Sequence, residues 1–112
     1  MSPLVKQLLW VVPVLVFAAL LEAGGDAGMR FGLRGKPVGF LLGALSLTAY
    51  GILVNVPKWD FGRLLGVYIA LFFLVSQAIA VLAFRERLSA PVLVGGALIV
   101  AGGAVLTFWQ PR

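Results

Sequence analysis

Four stretches of mostly apolar residues follow one another along the chain, parted only by short gaps that hold charge, glycine or proline. A helix rising 1.5 Å per residue needs about 20 apolar residues to cross roughly 30 Å of hydrocarbon, so each stretch has the length of a membrane span. The spans are read as residues 4–29, 37–56, 61–84 and 89–109. They consume nearly all of the 112 residues and leave tight connections with no soluble domain. Composition points the same way. The chain is 62% hydrophobic and 12% charged, with mean hydropathy +1.07, whereas a soluble domain carries about 25% charged residues. The expected fold is an all-α membrane protein, a single four-helix transmembrane domain over residues 1–112.

The gaps supply stop and start signals. Arg30, Arg34 and Lys36 close the first around Gly32 and Gly35, and Pro37 suits the first turn of helix two, where its missing N–H is not needed. Pro57, Lys58 and Asp60 form the second gap, and Arg85, Glu86 and Arg87 the third. Ser89 followed by Pro91 is a helix-start signal. Trp10, Trp59 and Trp109 lie near span ends, as in interfacial aromatic belts. Pro13, inside span one, removes a backbone hydrogen bond and predicts a kink. The N-terminal run is longer than an ordinary signal-peptide core and is read as a retained span.

Several function classes fall away. With no cysteine and no histidine, the chain lacks disulfides, thiolate nucleophiles and the commonest transition-metal ligands, so no cofactor or metal is expected. No residue constellation points to enzyme chemistry. The net charge of +5 would suggest nucleic acid in a soluble protein, but here the basic residues sit between apolar runs and face lipid headgroups, so no nucleic-acid partner is expected.

Four spans put both termini on one side. That side holds Lys6, Lys58, Arg63 and Arg112, while the other holds Arg30, Arg34, Lys36, Arg85 and Arg87. The positive-inside rule acts through a clear excess of Lys and Arg, and four against five is nearly a tie. The tally predicts insertion in both orientations.

The sharpest chemical feature is Glu22, eight residues before Arg30 and therefore about 12 Å down the helix, near the midplane. A charge there costs at least about 2.5–3.5 kcal/mol on insertion scales, so a carboxylate at this depth usually faces the bundle interior and marks a proton or cation path. Asp26 and Arg30 follow on the same face at spacings of four, which predicts an interfacial Asp26–Arg30 ion pair. Tyr68 in span three is a candidate to hydrogen-bond a carboxylate or stack on a cation. Ser46, Thr48, Tyr50 and Asn55 in span two, with Ser76 and Gln77 in span three, are the other polar groups at membrane depth, and interhelical hydrogen bonding explains them equally well.

Span four carries no charge and is dense in small residues, with Gly95 and Gly102 seven apart, as are Gly96 and Gly103. Small stripes let helices approach closely where the bilayer offers no hydrophobic drive between them. An intersubunit seam is expected here, and glycine elsewhere is expected to be more forgiving of a side chain.

These residues resemble the small multidrug resistance transporters, bacterial four-helix exporters within the drug/metabolite transporter superfamily. Glu22 with Gly25, Met29 and Arg30 is similar to that family's first helix, and Arg87-Leu88 to the loop before its fourth helix. Pro91, Gly95, Leu98, Ile99, Ala101 and Gly102 resemble the fourth helix itself. The resemblance runs from about Ala18 to the end of the chain. Helix three departs from the drug exporters. It carries Leu65 and Tyr68 near where they have tyrosine and tryptophan, and it lacks their glycine-x-glycine kink. Gly62-Arg63 followed by Tyr68 resembles instead a sister group of short four-helix membrane proteins. The resemblance implies an antiparallel homodimer of oppositely inserted copies in the bacterial inner membrane. It implies that Glu22 alternately holds protons and a cationic substrate, and that helix four makes the dimer contact through Gly95, Leu98, Ile99, Gly102 and Gly103.

The expected function is a proton-coupled antiporter of small cationic compounds, with Glu22, Asp26 and Tyr68 as the binding residues. Its partners would be a second copy, membrane lipid, protons and the cation. The competing expectation is a non-catalytic accessory subunit of a larger membrane complex.

Overall fold

The computed structural model describes residues 2–109. Among them the chain is four helices joined by short turns, with no strand: α1 (Pro3–Leu33), α2 (Val38–Val54), α3 (Phe61–Phe84) and α4 (Ala90–Phe108). Three of these, α1, α3 and α4, are long and apolar enough to cross a membrane. The fourth, α2, is apolar but has 17 residues, about 26 Å of helix, at the short end of what spans a bilayer.

Local chemistry sets the boundaries. At the start of α1 the Ser2 hydroxyl accepts a hydrogen bond from the Val5 N–H at 3.2 Å, and Pro3 opens the first turn. The helix continues through Pro13 and runs four residues past the expected end at Met29. A charged residue such as Arg30 does not by itself break a helix, and the stop comes only before Gly35, whose φ of +98° favours glycine. There the N–H groups of Arg34 and Lys36 fold back onto the carbonyls of Arg30 and Phe31, satisfying the end of the helix. Helix α2 ends at Val54, two residues earlier than expected. Pro57 disfavours helical geometry at Val56, and the Asn55 side chain donates to the Gly51 carbonyl, closing the last turn. For α4, Ser89 stands at the N-cap and Pro91 in the first turn, as its sequence signal predicts.

The chain forms two compact units, Met1–Pro57 and Lys58–Arg112. In the first, α1 and α2 pack as an antiparallel hairpin along glycines. A Cβ on Gly28 would lie 2.9 Å from the Gly43 Cα, and one on Gly43 would lie 2.8 Å from the Gly25 carbonyl oxygen. A Cβ on Gly39 would lie 2.7 Å from the Gly32 nitrogen. These neighbours are backbone and cannot swing aside. The expectation that glycines outside span four tolerate a side chain therefore fails at Gly28, Gly39 and Gly43.

In the second unit, α3 and α4 pack through side chains set against glycines: Leu106 over Gly66, the Phe73 ring over Gly96, and Ala70 over Gly103. The end of α4 is held by Arg63, whose guanidinium donates to the carbonyls of Leu106 at 3.0 Å and Thr107 at 3.1 Å. Its carbon lies 4.2 Å from the centre of the Trp59 ring, so a cation–π contact orients the same group.

Candidate membrane carboxylate site

Glu22 lies two-thirds of the way along α1, half-buried, one turn past the fully buried Ala18 and Ala19. Position follows from sequence here, because the apolar run at residues 8–21 carries the helix to the carboxylate well before the next basic residue, Arg30. Asp26 follows one turn later and is exposed, as is Arg30.

Helix α2 completes this part of the site. The glycine contacts fix its register, setting Gly28 against Gly43 and Gly25 against Leu47, and the same antiparallel register carries Glu22 opposite Tyr50. The Ser46 hydroxyl donates across to the Leu21 carbonyl at 2.6 Å, tying the helices together beside Glu22. One turn further along α2, the half-buried Tyr50 hydroxyl lies within electrostatic reach of both carboxylates, Glu22 more strongly than Asp26. The structure thus gathers Glu22, Asp26 and Tyr50 on one hairpin. Two carboxylates and a phenol that can donate form a donor and acceptor set suited to holding a proton or a small cation.

Tyr68 belongs to the other unit. It is 3% exposed and stands beside Phe72, with ring centres 5.9 Å apart.

Three of the polar groups at membrane depth bond within their own helices: Thr48 to Ala44, Asn55 to Gly51 and Ser76 to Phe73. Ser46 bridges helices, to the Leu21 carbonyl. In the sequence alone Tyr50 is one of several polar groups at membrane depth, and Tyr68 is the more conspicuous tyrosine. The information that singles out Tyr50 was present in the chain. A short turn at residues 34–37 forces α1 and α2 antiparallel, and matching glycines on both helices set which residues face each other.

The proposed seam on α4 divides into two faces. Gly96 and Gly103 are buried against α3, so Gly103 sits on the intraprotomer row. Gly95 and Gly102 have open space where a Cβ would stand, and between them Leu98 is 71% and Ile99 36% exposed.

No protein-family model matches the chain, and no solved structure matches it. A relative from Herpetosiphon aurantiacus, a UPF0060 membrane protein, is 32% identical over 110 residues, covering 95% of this chain and 99% of the relative. Near-complete coverage of both chains means that the likeness extends over all four helices. The chain belongs to the UPF0060 family of multi-pass membrane proteins.

Proposed function

We propose that the protein is a proton-coupled antiporter of small cationic compounds in the bacterial inner membrane. The observation that carries this reading is Glu22, a half-buried carboxylate deep within an apolar helix, with Asp26 and the Tyr50 hydroxyl on the same hairpin. A membrane helix that keeps an ionisable group at this depth bears a standing insertion cost of about 2.5–3.5 kcal/mol, which a lipid-facing structural role would not require. In the proposed cycle a proton and a cation compete for the Glu22 carboxylate, so that one is released as the other binds. Tyr50 donates a hydrogen bond to the charged form and positions it.

The working assembly is an antiparallel homodimer that joins on the open face of α4, with Gly95, Leu98, Ile99 and Gly102 at the contact. Support comes from the four-to-five charge tally and from the uncovered small-residue face. Rocking of two inverted copies about a shared chamber then gives alternating access, with one Glu22 from each copy lining it.

The test is transport by purified protein in liposomes carrying a proton gradient. Cation movement that follows the gradient and collapses with an uncoupler supports the proposal. Absence of coupled movement across a panel of small organic cations, together with co-purification in a stable larger complex, supports the accessory-subunit alternative.

A further inference from the structure

An apolar groove of about 180 Å³ lies at the turn end of the α1–α2 hairpin, lined by Gly28, Phe31, Lys36, Val38, Gly39 and Leu42. Its floor is the close contact of the two backbones at Gly28 and Gly39, and Phe31, Val38 and Leu42 stand around it. Lys36 is the charged member of the lining. Two more cations stand close by in the chain, Arg30 next to Phe31 and Arg34 at the end of α1, and all three are exposed. The tight turn at Gly35 separates Arg34 from Lys36 by a single residue. From Ala27 to Trp59 the sequence contains no acidic residue, and Asp26 is the nearest, one turn before Arg30. A greasy slot with Lys36 in its lining, and with Arg30 and Arg34 near it along the chain, therefore sits at the level where a spanning helix leaves the hydrocarbon.

We propose that this groove is a binding site for an anionic phospholipid, with an acyl chain along Phe31, Val38 and Leu42 and the headgroup phosphate held by Arg30, Arg34 and Lys36. Charge complementarity selects the occupant. A zwitterionic lipid offers the same chain but no net negative charge, and a soluble phosphate offers the charge but leaves the groove uncovered. Basic pockets between membrane helices hold anionic headgroups by this combination of contacts. The site is separate from Glu22, and its occupancy would brace the hairpin that carries the carboxylates.

The experiment titrates purified full-length protein in mild detergent with phosphatidylglycerol, phosphatidylcholine or glycerol phosphate. Melting temperature and lipid adducts in native mass spectrometry are the readouts. Phosphatidylglycerol should raise the melting temperature and remain bound, while phosphatidylcholine and glycerol phosphate should do neither. Removing the three cations together (Arg30→Gln, Arg34→Gln, Lys36→Gln) should weaken phosphatidylglycerol binding by roughly one to two orders of magnitude. Val38→Trp, which fills the groove and leaves every charge in place, should weaken it as well. Removing Arg85 and Arg87 at the other charged gap should leave it unchanged. Lys36→Gln alone serves as the charge test if the triple variant does not fold. Equal stabilisation by phosphatidylcholine, an equal effect of glycerol phosphate, or undiminished binding in both Val38→Trp and the charge variants would overturn the proposal.

Discussion

In the α1–α2 hairpin the backbones themselves meet, whereas in the α3–α4 pair Leu106, Phe73 and Ala70 fill the spaces that glycines leave open. Both arrangements answer the same problem, since lipid tails are as apolar as the side chains and give helices no hydrophobic reason to associate. The consequences differ. Backbone contact fixes register closely, and it is on this hairpin that Glu22, Asp26, Ser46 and Tyr50 are brought together. Side-chain packing is adjustable, and α4 leaves one face with Gly95 and Gly102 open. The tightly registered pair holds the polar chemistry, and the adjustable pair presents a surface.

The largest effect is expected where a methyl group is forced into backbone. Gly39→Ala and Gly43→Ala should each destabilise the protein by about 3 kcal/mol or more, at the upper end of overpacking penalties, because no side chain can move to make room. The same substitution in an open helical position gains up to about 1 kcal/mol, so the sign of the change separates the two kinds of glycine. Denaturant unfolding in detergent micelles measures it, and a neutral Gly43→Ala would remove the distinction between the two pairs.

Next in size is the α4 clamp. Arg63→Ala loses two charge-assisted hydrogen bonds to Leu106 and Thr107 at a half-exposed position, worth about 1–2 kcal/mol after allowance for solvent. Arg63→Lys should recover part of this, since an ammonium keeps the charge but neither the forked geometry nor the flat stacking on Trp59. Smaller still is Gly96→Ala. The Phe73 ring edge that it meets can turn away, and a net change within about 1 kcal/mol is expected.

The smallest cost to folding belongs to Gly102. A Cβ at Gly102 meets nothing within 4 Å, so Gly102→Leu should not destabilise the fold and should gain at most the helix propensity of an open glycine, up to about 1 kcal/mol. It should still convert dimers to monomers in mild detergent, measured by light scattering. Adding two lysines to the loop at residues 57–62 should lock one orientation, and adding two to the loop at residues 85–87 the opposite one. Each locked form should be inactive alone and active when the two are expressed together. Full activity from one locked form alone would rule out the antiparallel pair.

Much of this architecture was legible in the chain because membrane solubility leaves few choices. Apolar runs broken by charge must be helices, since hydrocarbon offers no partner for an unpaired backbone group. Glu22 was legible for the same reason, as a carboxylate where none is comfortable. Boundaries were less so. Arg30 marks where α1 meets the headgroups, but a helix need not stop there, and the turn waits for Gly35. The glycine pattern was read from the densest cluster, on α4, yet spacing within one helix does not say which row faces a neighbour. Gly96 and Gly103 took the inner row, and the closest backbone contacts fell on the less conspicuous glycines of α1 and α2. Tyr50 was hidden for a related reason, because its importance depends on a register that two helices set jointly.

Whether Glu22 exchanges a proton for a cation, as proposed, is measured most directly by coupled transport of Glu22→Gln in proton-loaded liposomes. The amide keeps the size and hydrogen bonding of the carboxyl but cannot exchange a proton. Folding and dimerisation should therefore persist while coupled flux and cation-induced proton release both vanish. Tyr50→Phe should weaken coupling without abolishing it, and Asp26→Asn should do less harm still. Equal loss in Glu22→Gln and Asp26→Asn would redraw the site as a two-carboxylate centre, and coupled transport retained in Glu22→Gln would contradict the mechanism outright.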